Sequence, residues 1–197
     1  MRAVIIGITA LVLLLTRQAA AGPLDTPGYD KAFSCSACHG AAGNSRTDSM
    51  PILAGMAPAY FKKAIEDYAS GRRPSPEMEP YSRMVRELGV DAVAGYFAAQ
   101  RREPPAGRVD RAAVRRGRAA ATPCASCHGE AGKGDAAKAI PDISGQPVGY
   151  LRNQLMLFKA DRRSPGDEAL TKMKAVLKQI PDATLADLAA YYSSRGR

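Results

Sequence analysis

The chain has 197 residues, a length that accommodates one large domain or two small ones. It carries 28 Lys and Arg residues against 19 Asp and Glu, which gives a formal charge of +9 at pH 7. No nucleic-acid recognition motif accompanies this basic charge, so the composition argues against nucleic-acid binding.

The first 21 residues have the features of a secretory signal peptide. Arg2 precedes an apolar run of 13 residues from Ala3 to Leu15, and alanines at 19–21 form a small-residue cleavage site. The run is shorter than the roughly 20 residues that span a bilayer, although an uncleaved anchor is the alternative. We therefore predict export to the periplasm and a mature chain of charge +7 that has no transmembrane segment.

All four Cys and both His residues of the chain belong to two copies of the pattern Cys-x-x-Cys-His, at residues 35–39 and 124–128. This pattern is the attachment site of c-type haem. The two thiols bond to the haem vinyl groups, and the adjacent imidazole binds the iron. The sequence thus predicts two covalently attached haem c groups. The predicted attachment residues are Cys35, Cys38, Cys124 and Cys127.

Disulfide bonds or a zinc site would explain fewer features of the two motifs than haem attachment does. Thioredoxin-like disulfides require a βαβ pattern that the chain lacks, and they do not need a His after each pair. A structural zinc site places its pairs about 15–20 residues apart, whereas 85 residues separate these two. Structural disulfides between the pairs fit an oxidising compartment, but they leave both histidines without a role.

The two motifs are part of a repeat that runs through the chain. Pro51 and Pro141 follow the motifs at matched positions, and a tyrosine stands nine residues after each. These tyrosines, Tyr60 and Tyr150, open apolar-periodic helices. Each helix ends at a double arginine, and each copy closes with an amphipathic helix. The double arginines are Arg72-Arg73 and Arg162-Arg163, and the closing helices end in Tyr96-Phe97 and Tyr191-Tyr192.

Because strand signals are nearly absent, the repeat predicts an all-α chain of two tandem domains from an internal duplication, each wrapped around a covalent haem. We place the domains at 22–100 and 109–197, with a Pro- and Gly-rich linker at 101–108. The haem would supply the core that domains this small lack. Arginines crowd the linker and the segment after it, which indicates either a solvated face or a docking surface for an acidic redox partner.

The iron ligand opposite each histidine must come from elsewhere in the chain. His39 and His128 are the first ligands, and no other His or Cys remains, so methionine is the predicted second ligand. Of seven methionines, only Met78 and Met173 coincide across the repeat. Core packing is the usual role of methionine, and Met84 is the main alternative to Met78.

The matched prolines and tyrosines each have two possible roles. The carbonyls of Pro51 and Pro141 can accept a hydrogen bond from the ligand histidines and fix the ring orientation; the alternative is a plain turn proline. Tyr60 and Tyr150 either contact the haem or a haem propionate, or they simply pack between helices.

The order of these features, Cys-x-x-Cys-His-Gly, Pro-x-Leu-Ala-Gly, an aromatic helix, Gly-Arg-Arg, Met and a closing helix, resembles the cytochrome c4 family. It is also similar to the dihaem subunit of flavocytochrome c sulfide dehydrogenases. The resemblance implies two class I cytochrome c domains and a periplasmic electron carrier. It implies His39 and Met78 on the first iron, and His128 and Met173 on the second.

Two six-coordinate irons favour electron transfer over catalysis, because no coordination position is left for a substrate. We therefore expect a carrier that works between protein redox partners rather than an enzyme. The alternative is the electron-accepting subunit of a periplasmic dehydrogenase such as a flavocytochrome c.

Overall fold

The computed structural model describes residues 22–196, which are helical with connecting turns. The predicted signal peptide at 1–21 and residue 197 lie outside the described residues. Within 22–196 there is no β-strand, only one isolated bridge between Asp135 and Ile140. The α-helices are α1 (Tyr29–Ala32), α2 (Ser36–His39), α3 (Pro58–Ala69), α4 (Met78–Leu88), α5 (Val90–Ala99), α6 (Arg111–Ala120), α7 (Thr122–His128), α8 (Val148–Lys159), α9 (Thr171–Gln179) and α10 (Asp182–Ser194). The prediction of an all-α fold is confirmed.

The helices form two hydrophobic cores, one in the first half of the chain (residues 22–100) and one in the second half (residues 109–196). In the first half, Phe61 of α3 packs against Phe97 of α5, with ring centroids 5.8 Å apart. In the second half, Leu151 of α8 and Leu188 of α10 belong to the corresponding core. No helix within residues 22–196 has the length and apolar character to cross a membrane.

In each half, the helix before the Cys motif crosses the closing helix at a glycine. In the second half, α6 meets α10 at Gly117, where an added Cβ would lie 2.1 Å from the Asp187 carbonyl oxygen. In the first half, Gly28 stands just before α1, and an added Cβ would lie 2.5 Å from the Ala92 carbonyl oxygen. Such approaches admit no side chain, so both crossings require glycine.

The closing helices begin differently in the two halves. α5 starts directly after Gly89, whose φ of 103° ends α4. α10 starts at Asp182 after Pro181, whose φ of −59° suits a residue that leads into a helix. The repeat pairs Val90 with Leu185, so α10 is longer than α5 by three residues at its start.

Polar contacts to backbone groups join the two halves. The Gln146 side chain accepts from the Ile52 N–H at 2.9 Å and donates to the Ile52 carbonyl at 2.8 Å, and both residues are buried. Arg102 donates to the carbonyls of Ala54 and Ser144, both at 3.0 Å, which connects the segment at 101–108 to both halves. The halves are thus held in a defined relative position.

Candidate haem sites

The first Cys motif lies on a short helical segment that brings its cysteines to one side. Cys35 ends a 3₁₀ turn, and Cys38 and His39 belong to α2, which ends at Gly40 with φ 77°. Residues three apart on a helical segment share a face. Cys35 is half-buried against the first core, whereas Cys38 is exposed. This arrangement leaves both thiols available on one edge of the core.

The second motif repeats this arrangement on a single helix. Cys124, Cys127 and His128 all belong to α7, which ends at Gly129 with φ 69°. Cys124 is half-buried and Cys127 exposed, as in the first motif, and all four cysteines are free thiols. Among the residues that the structure describes, no cluster of three or more His, Cys, Asp or Glu side chains is arranged to hold a metal ion.

Both motif histidines donate a hydrogen bond to a proline carbonyl. The Nδ1 atom of His39 lies 2.9 Å from the Pro51 oxygen, and that of His128 lies 3.0 Å from the Pro141 oxygen. Because a carbonyl only accepts, Nδ1 carries the proton and Nε2 keeps its lone pair. The interpretation of these prolines as histidine-orienting residues is confirmed, and each imidazole presents the nitrogen that can bind iron.

Burial favours the neutral form of both imidazoles. Burial lowers the pKa of His39, and the nearby positive charge of Arg73 lowers it further, against the opposing effect of the Pro51 bond. Burial also lowers the pKa of His128, while the Pro141 bond and the Asp142 charge act the other way. A neutral imidazole is the form that ligates a metal.

A cavity of about 390 Å³ opens beside the second motif. Cys124, Cys127 and His128 line it, and Met173, the third residue of α9, lines it as well. Much of the remaining wall is apolar, with side chains such as Leu151 and Leu177. The predicted ligands of the second iron are therefore brought to one enclosed, largely apolar space.

The predicted methionine of the first half also lies at the start of a helix. Met78 is the first residue of α4 and is half-buried. The alternative, Met84, is also half-buried on α4, so exposure does not separate the two. Met56, which the repeat aligns with Gln146, packs in the first core and also lines the cavity of the second half.

The polar side chains in and beside the cavity of the second half fit a flat apolar group that carries carboxylates, as haem does. The guanidinium groups of Arg73 and Arg163 are buried, and the Nε atom of each has no hydrogen-bond partner among residues 22–196. Buried donors of this kind call for an acceptor. The sequence marked these arginines only as helix ends. The double arginine at matched positions was the available signal, but it does not tell which arginine of each pair is buried.

Comparison with known proteins agrees with this geometry. The family model of cytochrome c matches residues 114–195. Cytochrome c4 of Pseudomonas aeruginosa is 30% identical over 92% of this chain and 93% of its own length. A thiosulfate dehydrogenase electron acceptor of Stutzerimonas stutzeri is 31% identical over 97% of this chain and 94% of its own length.

The fold agrees as well. The crystal structure of reduced recombinant cytochrome c4 from Pseudomonas stutzeri superposes with a TM-score of 0.75 at 26% identity, covering 84% of this chain and 95% of that one. Two covalently attached haem c groups are the cofactors of this fold, and its activity is electron transfer. On fold and sequence together, the chain belongs to the cytochrome c4 family.

Proposed function

We propose that the protein carries electrons between redox proteins of the periplasm through one haem in each half. The observation that carries this proposal is the duplicated imidazole geometry, in which the buried His39 and the half-buried His128 each donate Nδ1–H to a proline carbonyl and each have a lowered pKa. The bound haem supplies an iron that takes up and releases one electron. The residues of this chain hold the group, orient its ligands and exclude water.

The roles divide in the same way in both halves. Cys35 and Cys38 attach the first group, and Cys124 and Cys127 attach the second. His39 and Met78 are the proposed ligands of the first iron, and His128 and Met173 those of the second. Ligation of the iron by a thioether sulfur together with an imidazole would raise the reduction potential, which suits a carrier.

The methionine assignment is tested by four separate alanine variants. Met78→Ala and Met173→Ala should each lose about half of the near-infrared Met–iron charge-transfer band, because each haem contributes its own share. Met84→Ala and Met156→Ala are matched controls, on α4 and on α8, and should retain the full band. Full intensity in Met78→Ala, or a loss in Met84→Ala, contradicts the assignment.

Two six-coordinate irons leave the protein without a substrate position, so we propose a carrier rather than an enzyme. Carbon monoxide should then bind the reduced protein only slowly and incompletely at neutral pH, because it must displace methionine. Rapid stoichiometric binding would overturn the proposal and favour catalysis at the haem.

Export to the periplasm rests on the predicted signal peptide. N-terminal sequencing of the protein from a periplasmic extract should find a mature chain that begins at Gly22. A chain that keeps Met1 and sediments with the membrane would indicate an uncleaved anchor instead.

For the docking surface, we propose the exposed face of α6. Arg111, Arg115 and Arg118 are exposed on this helix, and only Ala121 separates α6 from α7, which carries the second Cys motif. Arg116 is occupied by Asp187, at 2.8 Å. The face therefore offers positive charge beside the second haem, and an acidic partner is the complementary one.

The docking surface is tested by charge reversal of Arg111, Arg115 and Arg118 to Glu, with stopped-flow oxidation by ferricyanide as the readout. The rate at low salt should fall at least about tenfold, and the difference should shrink at high salt. Reversal of three first-half residues is the matched control and should have the smaller effect. These control residues are Lys62, Arg83 and Arg86. Equal effects of the two triple variants would contradict docking at α6.

A second candidate is the electron-accepting partner of a periplasmic dehydrogenase, which the name of the Stutzerimonas stutzeri relative suggests. It is favoured by Phe33, which is 63% exposed and stands two residues before Cys35. Exposed aromatic side chains of this size are typical of protein interfaces. Stoichiometric copurification with a dehydrogenase, abolished by Phe33→Ser, would establish this role, and a protein that purifies alone supports the free carrier.

A further inference from the structure

A buried lysine stands next to the predicted methionine ligand of the second iron. Lys174 is 7% exposed and directly follows Met173 in α9. Its ammonium group donates to the Asp161 carboxylate at 2.6 Å and to the Ser164 carbonyl. Both acceptors lie in the segment 160–170, which connects α8 to α9. A buried ammonium is strongly unfavourable without such partners, so these bonds fix the direction of the lysine side chain.

The segment that supplies the two acceptors is held in place from the other half of the molecule. Asp161 and Ser164 have φ angles of 54° and 48°, in the left-handed region that residues other than glycine seldom adopt. Such a conformation persists only where the surrounding contacts hold it. One of these contacts is the Ser164 N–H, which donates to the Arg72 carbonyl in the first half at 2.6 Å. The segment is therefore a fixed support to which Lys174 attaches α9.

The lysine and the methionine belong to the same turn of one helix. Met173 and Lys174 are the third and fourth residues of α9, and Met173 lines the cavity of the second half. Side chains within one helical turn keep fixed directions relative to each other. The bonds of Lys174 therefore also fix the direction in which the Met173 side chain leaves the helix.

In the first half, the position that corresponds to Lys174 is occupied by a residue of opposite charge. This residue is Glu79, whose side chain is 40% exposed and pairs with Arg83 in the same helix, α4. A surface pair four residues apart on one helix contributes little to stability, and it joins no second element to the helix. The start of α4 is therefore not attached to another segment through this position.

The two methionines also follow connections of different length. Four residues (74–77) lie between the buried arginine and Met78 in the first half, and nine (164–172) lie between the matched arginine and Met173. The Ser75 hydroxyl accepts from the Met78 N–H at 3.2 Å, so the short connection itself holds the start of α4. A longer connection has more conformations to lose, and the bonds of the buried lysine offset that cost in the second half.

Building on the haem ligands proposed above, we propose that Lys174 is a positioning residue for Met173 and keeps this methionine on the second iron. Its two bonds attach the start of α9 to the segment 160–170, so the thioether is held towards the cavity. The first half holds Met78 without such a lysine. Loss of Lys174 should therefore weaken the methionine ligation of the second haem alone.

A second lysine at the other end of the same helix provides a matched control. Lys159 donates to the Ile180 carbonyl at 2.6 Å and to the Asp182 carboxylate at 2.7 Å, so it too binds one carbonyl and one carboxylate. Ile180 lies seven residues after Met173, about two helical turns away. Lys159→Met therefore removes a comparable contact from α9 without releasing the end that carries the methionine.

The test measures the rate at which carbon monoxide binds the reduced holoprotein. In Met78→Ala the first haem should bind rapidly, so the remaining slow phase reports the second haem. Adding Lys174→Met should make this slow phase at least about tenfold faster, because loss of hydrogen bonds to a charged group lets Met173 leave the iron more often. Adding Lys159→Met instead should leave the slow phase unchanged.

The reciprocal background identifies the haem that responds. In Met173→Ala the slow phase belongs to the first haem, and Lys174→Met should not alter it. A slow phase in Met78→Ala that Lys174→Met leaves unchanged would overturn the proposal. Equal acceleration by Lys174→Met and Lys159→Met would also overturn it, because the lysine would then support α9 as a whole and not the ligand.

Failure of the proposed function is seen separately, as rapid carbon monoxide binding by the unaltered protein or as no rapid phase in Met78→Ala. If Lys174→Met does not accumulate with two haems, Asp161→Gly decides the question. It removes the carboxylate partner at an exposed position whose φ of 54° suits glycine. In the Met78→Ala background it should make the slow phase about threefold faster, and an unchanged rate would contradict the proposal.

Discussion

The two halves of the chain share the geometry of their haem sites and differ on their surfaces. The histidine–proline bonds are 2.9 Å and 3.0 Å long, and each half has one half-buried and one exposed cysteine. By contrast, residues 22–100 contain eight basic and nine acidic residues, whereas residues 109–197 contain fifteen and nine. The haem sites are alike because both halves hold the same cofactor. The surface charge differs because the two surfaces can contact different partners.

The helix before each Cys motif shows the same contrast. α1 has four residues and is followed by the exposed Phe33, whereas α6 has ten and carries the arginine face. Both nevertheless cross the closing helix at a glycine, Gly28 or Gly117. The two halves therefore share the crossing at a glycine, whereas the length and charge of the helix before the Cys motif differ between them.

The largest expected effect comes from the helix crossing. Gly117→Ala should lower the free energy of unfolding by about 3 kcal/mol, because its Cβ meets the Asp187 backbone and α6 must move away from α10. Gly28→Ala should cost a similar amount, with the strain of φ +87° added. Gly95→Ala, in α5 with nothing within 4 Å, is the control and should stabilise by about 1 kcal/mol. Denaturant unfolding measures all three, and a tolerated Gly117→Ala would show that the crossing of α6 and α10 does not require glycine.

A smaller effect is expected at the contact between the halves. Gln146→Ala leaves the buried N–H and carbonyl of Ile52 without partners, so we expect the free energy of unfolding to fall by about 2 kcal/mol. Hydrogen exchange should also become faster at the Ile52 amide. Gln179→Ala, at an exposed end of α9, should leave both measurements unchanged. If the Ile52 amide keeps its protection in Gln146→Ala, another group satisfies it and the contact is not needed.

The smallest effect concerns acid stability, in which the second half should be the more sensitive. The bond from Arg116 holds the pKa of Asp187 below its usual range, and Lys174 does the same for Asp161. A depressed folded-state pKa stabilises above the unfolded pKa of about 3.9, and the effect is lost as the pH falls through the folded value. Asp187→Asn should therefore lower the melting temperature slightly at pH 7 and converge with the parent in acid.

A double variant sharpens this last comparison. Because Arg116 and Asp187 act as one pair, adding Arg116→Gln to Asp187→Asn should cause little further change in melting temperature. Arg116 is exposed, so high salt should reduce the effect. If the difference in melting temperature between Asp187→Asn and the parent persists unchanged in strong acid, packing and not charge causes it.

The sequence predicts those parts of the fold and of the haem sites that produce a regular pattern of residues. Apolar periodicity predicts α3, α8 and both closing helices, because each buries one face against a core. The motif spacing predicts the paired histidine sites, and the matched prolines prove to be the acceptors of the Nδ1 protons. These features depend on neighbours in sequence or on the repeat.

The rest depends on contacts between residues distant in sequence. Nothing in the two double arginines tells that Arg73 and Arg163 are buried while Arg72 and Arg162 are exposed, because burial is decided by the opposite half. Arg102 was assigned to a linker, yet its side chain is bonded to Ala54 and Ser144. The ligand assignments of Met78 and Met173 and the domain limits remain predictions.

The contact of Gln146 with Ile52 has a consequence for assembly. The repeat places Met56 where the second half has Gln146, and a thioether cannot replace an amide that both donates and accepts. Two copies of the first half would lack this bond, so the first half is not equipped to pair with itself in this way. If the two halves were produced as separate polypeptides, the first half should associate with the second half and not with another copy of itself. A single glutamine on one side of the contact thus gives the association of the two halves a direction.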